Sequence, residues 1–178
     1  MFVVNVLSLI IGLLLLNPIY SSTIPFEILR SCIDLKPKND SIKMTRLLDG
    51  LVSEENEEHC EDQFGQQFNN HYYGMVTCGD VFYLIIKDQK IRADNSINMS
   101  INPEIQPGLI FSNRAFWTKI DQDNKSYLCI DAALTESGTG SHLSQYYIVD
   151  NAFDPKEAPV VYYYFFEKNI IPITSEHF

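Results

Sequence analysis

Between Ile110 and Phe166 the chain alternates short runs of β-branched and aromatic residues with turn formers, and this pattern leaves few folds open. The runs are Phe111–Ile120, Gln145–Val149 and Val160–Phe166. Residues of these types suit a pleated, half-buried surface. Gln106-Pro-Gly108 precedes the first run, Glu136-Ser-Gly-Thr-Gly140 the second and Asp154-Pro155 the third. Glycine and proline there supply the backbone angles that reverse a chain. At least three successive strands are predicted.

Upstream the pattern is mixed. Tyr72–Cys78 reads as a strand and Gly79-Asp80 as a turn. Val81–Ile86 is continuously apolar, which fits a strand covered on both faces and equally a buried helical turn. Met44, Leu47, Leu48, Leu51 and Val52 keep helical spacing, and Asn39-Asp-Ser41 before them offers N-capping oxygens. A helix is therefore expected there, ending before Cys60. The acidic run Glu54–Glu58 opposes the dipole at that end and reads as a solvated face. Glu61–Asn70 is polar and Gln-rich, the composition of a loop, and Asp88–Asn102 reads as irregular. One helix followed by strands predicts an α+β domain, its N-terminal helix packed on an antiparallel sheet.

Residues 1–22 carry no charged side chain. The apolar run Val3–Leu16 is shorter than the roughly 20 residues of a membrane span. Small residues follow at Ser21 and Ser22, so residues 1–22 are read as a signal peptide and 23–178 as a single secreted domain. A signal anchor or a buried helix is the alternative, and no later segment has the length to span a membrane. Four cysteines, Cys32, Cys60, Cys78 and Cys129, make an even set that favours two disulfides with three possible connectivities. The pairing Cys32–Cys60 with Cys78–Cys129 would close each half of the chain. Sequons at Asn39, Asn98 and Asn124 are candidate glycosylation sites, each in a polar stretch.

The charge of −10 with only 13 basic residues disfavours nucleic acid as a partner, because affinity for phosphates comes from Lys and Arg. No C-x-x-C pair occurs, and His59, His71, His142 and His177 lack the spacing of metal ligands, so no metal or other cofactor is expected. Ser141-His142 lies in a Gly-flanked turn without a G-x-S-x-G elbow, leaving a hydrolase built on Ser137 or Ser141 as a minor reading. Trp117 and Tyr162–Phe166 could stack on a sugar or base, but such runs more often form sheet core.

The order of several segments resembles the ribonuclease-like secreted effectors of powdery mildew fungi. The segments are Cys78-Gly-Asp80, Pro107–Phe111, Ala115–Ile120, Tyr146–Val149 and Val160–Tyr164. The resemblance implies a ribonuclease-like fold, with a helix packed on an antiparallel sheet. It also implies a catalytic Glu on the central strand and Arg and His partners on the next two. Phe116 stands where that Glu would be, Gln145 and Tyr146 occupy the Arg region, and Val160–Phe166 holds no His. Acid–base cleavage needs such groups within hydrogen-bond reach of the substrate. The resemblance therefore implies a secreted, catalytically inactive effector that binds a host protein and is delivered into host cells. A second reading is an extracellular disulfide-bonded glycoprotein of unrelated β-rich fold that binds a ligand or receptor. The third is a secreted hydrolase using His142.

Overall fold

A computed structural model of the chain describes residues 23–48, 52–53, 60–111 and 114–170. The signal-peptide reading of residues 1–22, the acidic run Glu54–Glu58, His59 and His177 fall outside the described residues.

The first element is α1 (Phe26–Asp34). Ile24, Ile28 and Cys32 recur every fourth residue and are all buried, which gives this short helix one apolar stripe. Glu27 lies in its first turn, where the dipole favours a negative charge. Leu35, in left-handed geometry, ends it with its amide on the Cys32 carbonyl. The helix expected within Asn39–Val52 does not form. Asn39 Oδ1 instead accepts the Ser41 amide, closing a turn into strand β1 (Ile42–Leu48). Met44 packs with the layer that holds α1, whereas Leu47 packs with the opposite core. A strand covered on both faces produces the same i, i+3 spacing as a helix.

The chain then builds a five-stranded sheet in the order β2-β3-β4-β5-β6. Its strands are β2 (Val52–Ser53), β3 (Cys60–Phe68), β4 (His71–Cys78), β5 (Val81–Ile86) and β6 (Gln89–Arg92). The Gln-rich stretch expected to be a loop is thus mostly β3. It turns into β4 through Asn69-Asn70, both at positive φ, and β5 turns into β6 through Lys87-Asp88, also both positive. These are the two-residue reversals whose twist matches the strands they join. Gly65 and Gly74 face each other across β3 and β4. The Tyr72 ring lies where a side chain on Gly65 would project, so the pair leaves room for that ring.

A short strand, β7 (Ile97–Asn98), leads back from this second sheet to the first, that of β1, which is six-stranded in the order β1-β8-β9-β10-β11-β7. Here β8 is Ala115–Gln122, β9 Lys125–Ala133, β10 Ser144–Asp150 and β11 Val160–Tyr164. The three runs expected to be strands fall on β8, β10 and β11, and Val81–Ile86 is strand rather than helix. All pairings are antiparallel except β7 with β11.

The expectation of a ribonuclease-like α+β fold is therefore corrected: the described residues are mostly β, with two sheets and one α-helix. The six-stranded sheet is the middle layer. On one face Trp117, Ile130, Tyr147 and Tyr163 pack with Tyr73, Met75, Leu84 and Ile86 of the other sheet. On the other face Ile120, Cys129, Ile148 and Tyr162 pack with Ile28 and Cys32 of α1. The disulfides join Cys32 to Cys129 and Cys60 to Cys78, not Cys32 to Cys60 and Cys78 to Cys129. The first ties α1 to the middle strand β9; the second links directly paired residues of β3 and β4. Disulfide bonds suit an oxidising, extracellular compartment. Among the described residues no helix is long and apolar enough to cross a membrane.

Lys87 is a buried cation held by backbone alone. Its Nζ donates to the carbonyls of Glu157 (2.8 Å) and Asp154, fastening the β10–β11 connection to the β5–β6 turn. Lys87→Met strands both carbonyls, so urea unfolding should show a loss of about 1–3 kcal/mol with an unchanged m-value. Wild-type stability in that variant would mean that the β10–β11 loop is not fastened there.

Candidate functional site

Because α1 is only nine residues long, it leaves part of the six-stranded sheet open on either side. On one side lies a groove of about 530 Å³. It runs between Phe26, Leu29 and Ile33 of the helix and Tyr146 and Phe166 at the end of β10 and beyond β11. Phe26 is 69% exposed, an unusual state for the largest apolar side chain of a helix. Facing it, the Phe166 ring lies 5.9 Å from that of Tyr146 and stacks at 6.0 Å on that of Tyr164. Arg30, His142 and Glu167 supply the polar rim. Arg30 is held toward the helix by Asp34, at 3.1 Å.

Phe116, Asp131, Tyr146 and Tyr164 form one cross-strand row on this face, over four neighbouring strands. Asp131 is 9% exposed, and burial raises its carboxyl above the ordinary 3.8, with the Ser144 side chain partly offsetting the shift. Burial likewise raises the Tyr146 phenol, and the Asp131 charge adds to the shift. The Tyr164 phenol is pushed up to about 12, chiefly by burial. The row thus places a carboxyl and two protonated phenols behind an aromatic groove. Of this row only Tyr146 lines the groove, which joins apolar contact to the polar groups of Arg30, His142, Ser144 and Glu167, the usual make-up of a recognition site.

The residues singled out in the sequence scatter. Phe116, where the ribonuclease-like resemblance would place a catalytic Glu, is 40% exposed, with the Arg46 guanidinium 4.9 Å from its ring centre. Its neighbour Trp117 is fully buried and faces the second sheet. Gln145 is buried and donates to the carbonyls of Leu109 and Ala133. Of Tyr162–Phe166, Tyr162 and Tyr164 face α1 while Tyr163 and Phe165 lie in the interlayer core. His142 reaches the groove rim from a turn of 3-10 helix, Thr139–His142. Ser141 Oγ donates to the Gly138 carbonyl rather than to His142, and the Ser137 carbonyl accepts from Thr135 Oγ1. His71 is hydrogen-bonded to Asp88 at 2.7 Å, on the far sheet. Among the described residues no three His, Cys, Asp or Glu side chains converge to hold a metal ion.

The sequons differ as well. Asn39 and Asn124 are exposed in turns. Asn98 has its amide nitrogen engaged: it donates to the carbonyls of Ile105 (2.9 Å) and Pro103 (3.4 Å), and Oδ1 accepts the Ser100 amide. N-glycosylation would use that same nitrogen, which in the folded structure instead fastens the loop.

Sequence reasoning missed Asp131. Its signal was available, since a lone carboxylate interrupts the apolar run Tyr127–Ala133, but only the strand assignment makes it a buried acid.

A raised carboxyl means the folded state holds the proton more tightly than the unfolded chain. Stability contributed through Asp131 therefore falls as pH rises from 3.8 through the raised folded value. Asp131→Asn should match the wild type near the acid end of that window and exceed it at neutral pH, measured by urea unfolding. A variant less stable than the wild type throughout would show that the ionised carboxylate is satisfied where it lies. Set against known protein families, curated proteins and solved structures, the chain matches none of them.

Proposed function

We propose that this protein is a secreted, non-enzymatic binding protein that takes an apolar or aromatic group of its partner into the groove beside α1. The observation that carries the reading is the exposed Phe26 side chain set across the groove from the Tyr146 and Phe166 rings. Leaving that ring in water forgoes about 1.5–3 kcal/mol of burial, which a bound partner recovers. Two disulfides and the leader-like residues 1–22 support an extracellular setting, and Asn39 and Asn124 are the sequons presented for glycosylation.

The two-sheet architecture favours the extracellular β-rich binding protein over the ribonuclease-like effector, whose fold differs. In either case the partner reading is the same in kind: recognition of another molecule without turnover.

The purified secreted chain should bind the apolar dye anilinonaphthalene sulfonate saturably at one site in its native state. Phe26→Ser should weaken that binding strongly while leaving the unfolding midpoint nearly unchanged, since Phe26 is exposed. The same chain should leave RNA uncleaved across about pH 5–8, the range in which acid–base pairs operate. Ribonuclease or other hydrolytic turnover lost on replacing His142 alone would overturn the proposal.

A further inference from the structure

A second surface, separate from the groove, is the outer edge of β1. The sheets end in strands of unequal length. β7 and β2 have two residues each and β6 has four, whereas β1 has seven and stands at the end of the six-stranded order. Among the described residues no strand pairs with its outer side. An unpaired edge of that length is a template for a further strand, and proteins ordinarily shorten or cover such edges.

Charge narrows what can pair there. Residues 26–48 hold five basic side chains against three acidic ones, while the whole chain carries −10. Lys43 and Arg46 lie on β1 itself, and Lys36 and Lys38 on the loop that leads into it. Two copies of β1 laid antiparallel would set basic side chains against basic side chains, beneath the repulsion of two acidic bodies. An acidic strand meets the opposite field.

Shape adds a third requirement. Beside the edge, Leu35, Met44, Arg46, Phe116 and Thr118 enclose a pocket of about 210 Å³. Leu35 and Phe116 are 44% and 40% exposed, so the pocket has apolar walls open to water. Its size suits one side chain of an incoming strand, and alternate residues of that strand point the same way.

From these three features we infer that the β1 edge binds an extended acidic segment of another protein by strand addition. The segment donates and accepts main-chain hydrogen bonds along Ile42–Leu48. On one face it places carboxylates near Lys43, and on the other it places one apolar side chain in the pocket bounded by Leu35, Arg46 and Phe116. In this mode the main chain supplies affinity, while pockets and charges supply specificity.

The probe is a fluorescent peptide of alternating glutamate and valine, with a lysine–valine counterpart and a version methylated at alternate backbone amides. Anisotropy with the full secreted chain should show saturable binding of the acidic peptide only, lost on methylation. Lys43→Gln with Arg46→Gln should weaken it roughly tenfold, as expected from loss of a few charge-assisted contacts. Amide exchange at residues 42–48 should slow when the acidic peptide is added, a readout independent of any variant. Failure of the acidic peptide to bind, equal binding of the lysine peptide, or insensitivity to methylation would each overturn the inference. So would a concentration-dependent dimer of the unmodified chain that protects β1, because the edge would then be taken by a second copy.

Discussion

The central strands β9 and β10 of the six-stranded sheet are covered on both faces, and this double burial governs the rest of the molecule. Each residue of β9 from Tyr127 to Ala132, and of β10 from Gln145 to Asp150, is buried. Adjacent residues therefore serve different cores. Trp117, Ile130, Tyr147 and Tyr163 form a cross-strand row toward the second sheet, and Phe116, Asp131, Tyr146 and Tyr164 form a row toward the helix. A slip of one residue in any strand would exchange the two sets, so the register is strongly specified. The helix face carries an additional tie through Cys32 and Cys129, separated by 97 residues. Closing so long a loop limits the unfolded chain enough to stabilise the fold by about 4–5 kcal/mol in the chain-entropy account.

The candidate sites follow from a mismatch of sizes. Six strands are wider than one nine-residue helix, so the helix leaves exposed sheet to either side. Toward β10 and β11 the exposed strip is aromatic and becomes the groove around Phe26, Tyr146 and Phe166. Toward β1 it ends in a basic edge with a small pocket between Leu35 and Phe116. Recognition surfaces thus gather around α1, where burial is incomplete.

The sequence carried the strands of the aromatic block legibly, because β-branched and aromatic runs bounded by glycine and proline have few other outcomes. It was misleading where burial on two faces imitates another period. Met44 and Leu47 look helical in spacing but serve opposite cores of a strand. In β3 Gln66 and Gln67 are exposed while Phe64 and Phe68 reach the core, so composition alone hid a strand whose turn signal was Asn69-Asn70. The helix Phe26–Asp34 was too short to stand out by periodicity; its stability comes from docking and the disulfide rather than from propensity. Cysteine pairing was illegible for a related reason: closing each half of the chain presumes two halves. Here the chain leaves the first sheet after β1, builds the second, and returns, which brings Cys32 to Cys129. The candidate groove was less legible than the fold, since Phe26, Asp131 and Phe166 come together only through that return.

Cysteine connectivity tests this layered arrangement most directly. Peptide mapping of the secreted chain under non-reducing conditions should recover Cys32 joined to Cys129 and Cys60 joined to Cys78. The first pairing places α1 against the middle of the six-stranded sheet, and the second places β3 beside β4. Recovery of Cys32 joined to Cys60, with Cys78 joined to Cys129, would contradict both placements and the groove built on them.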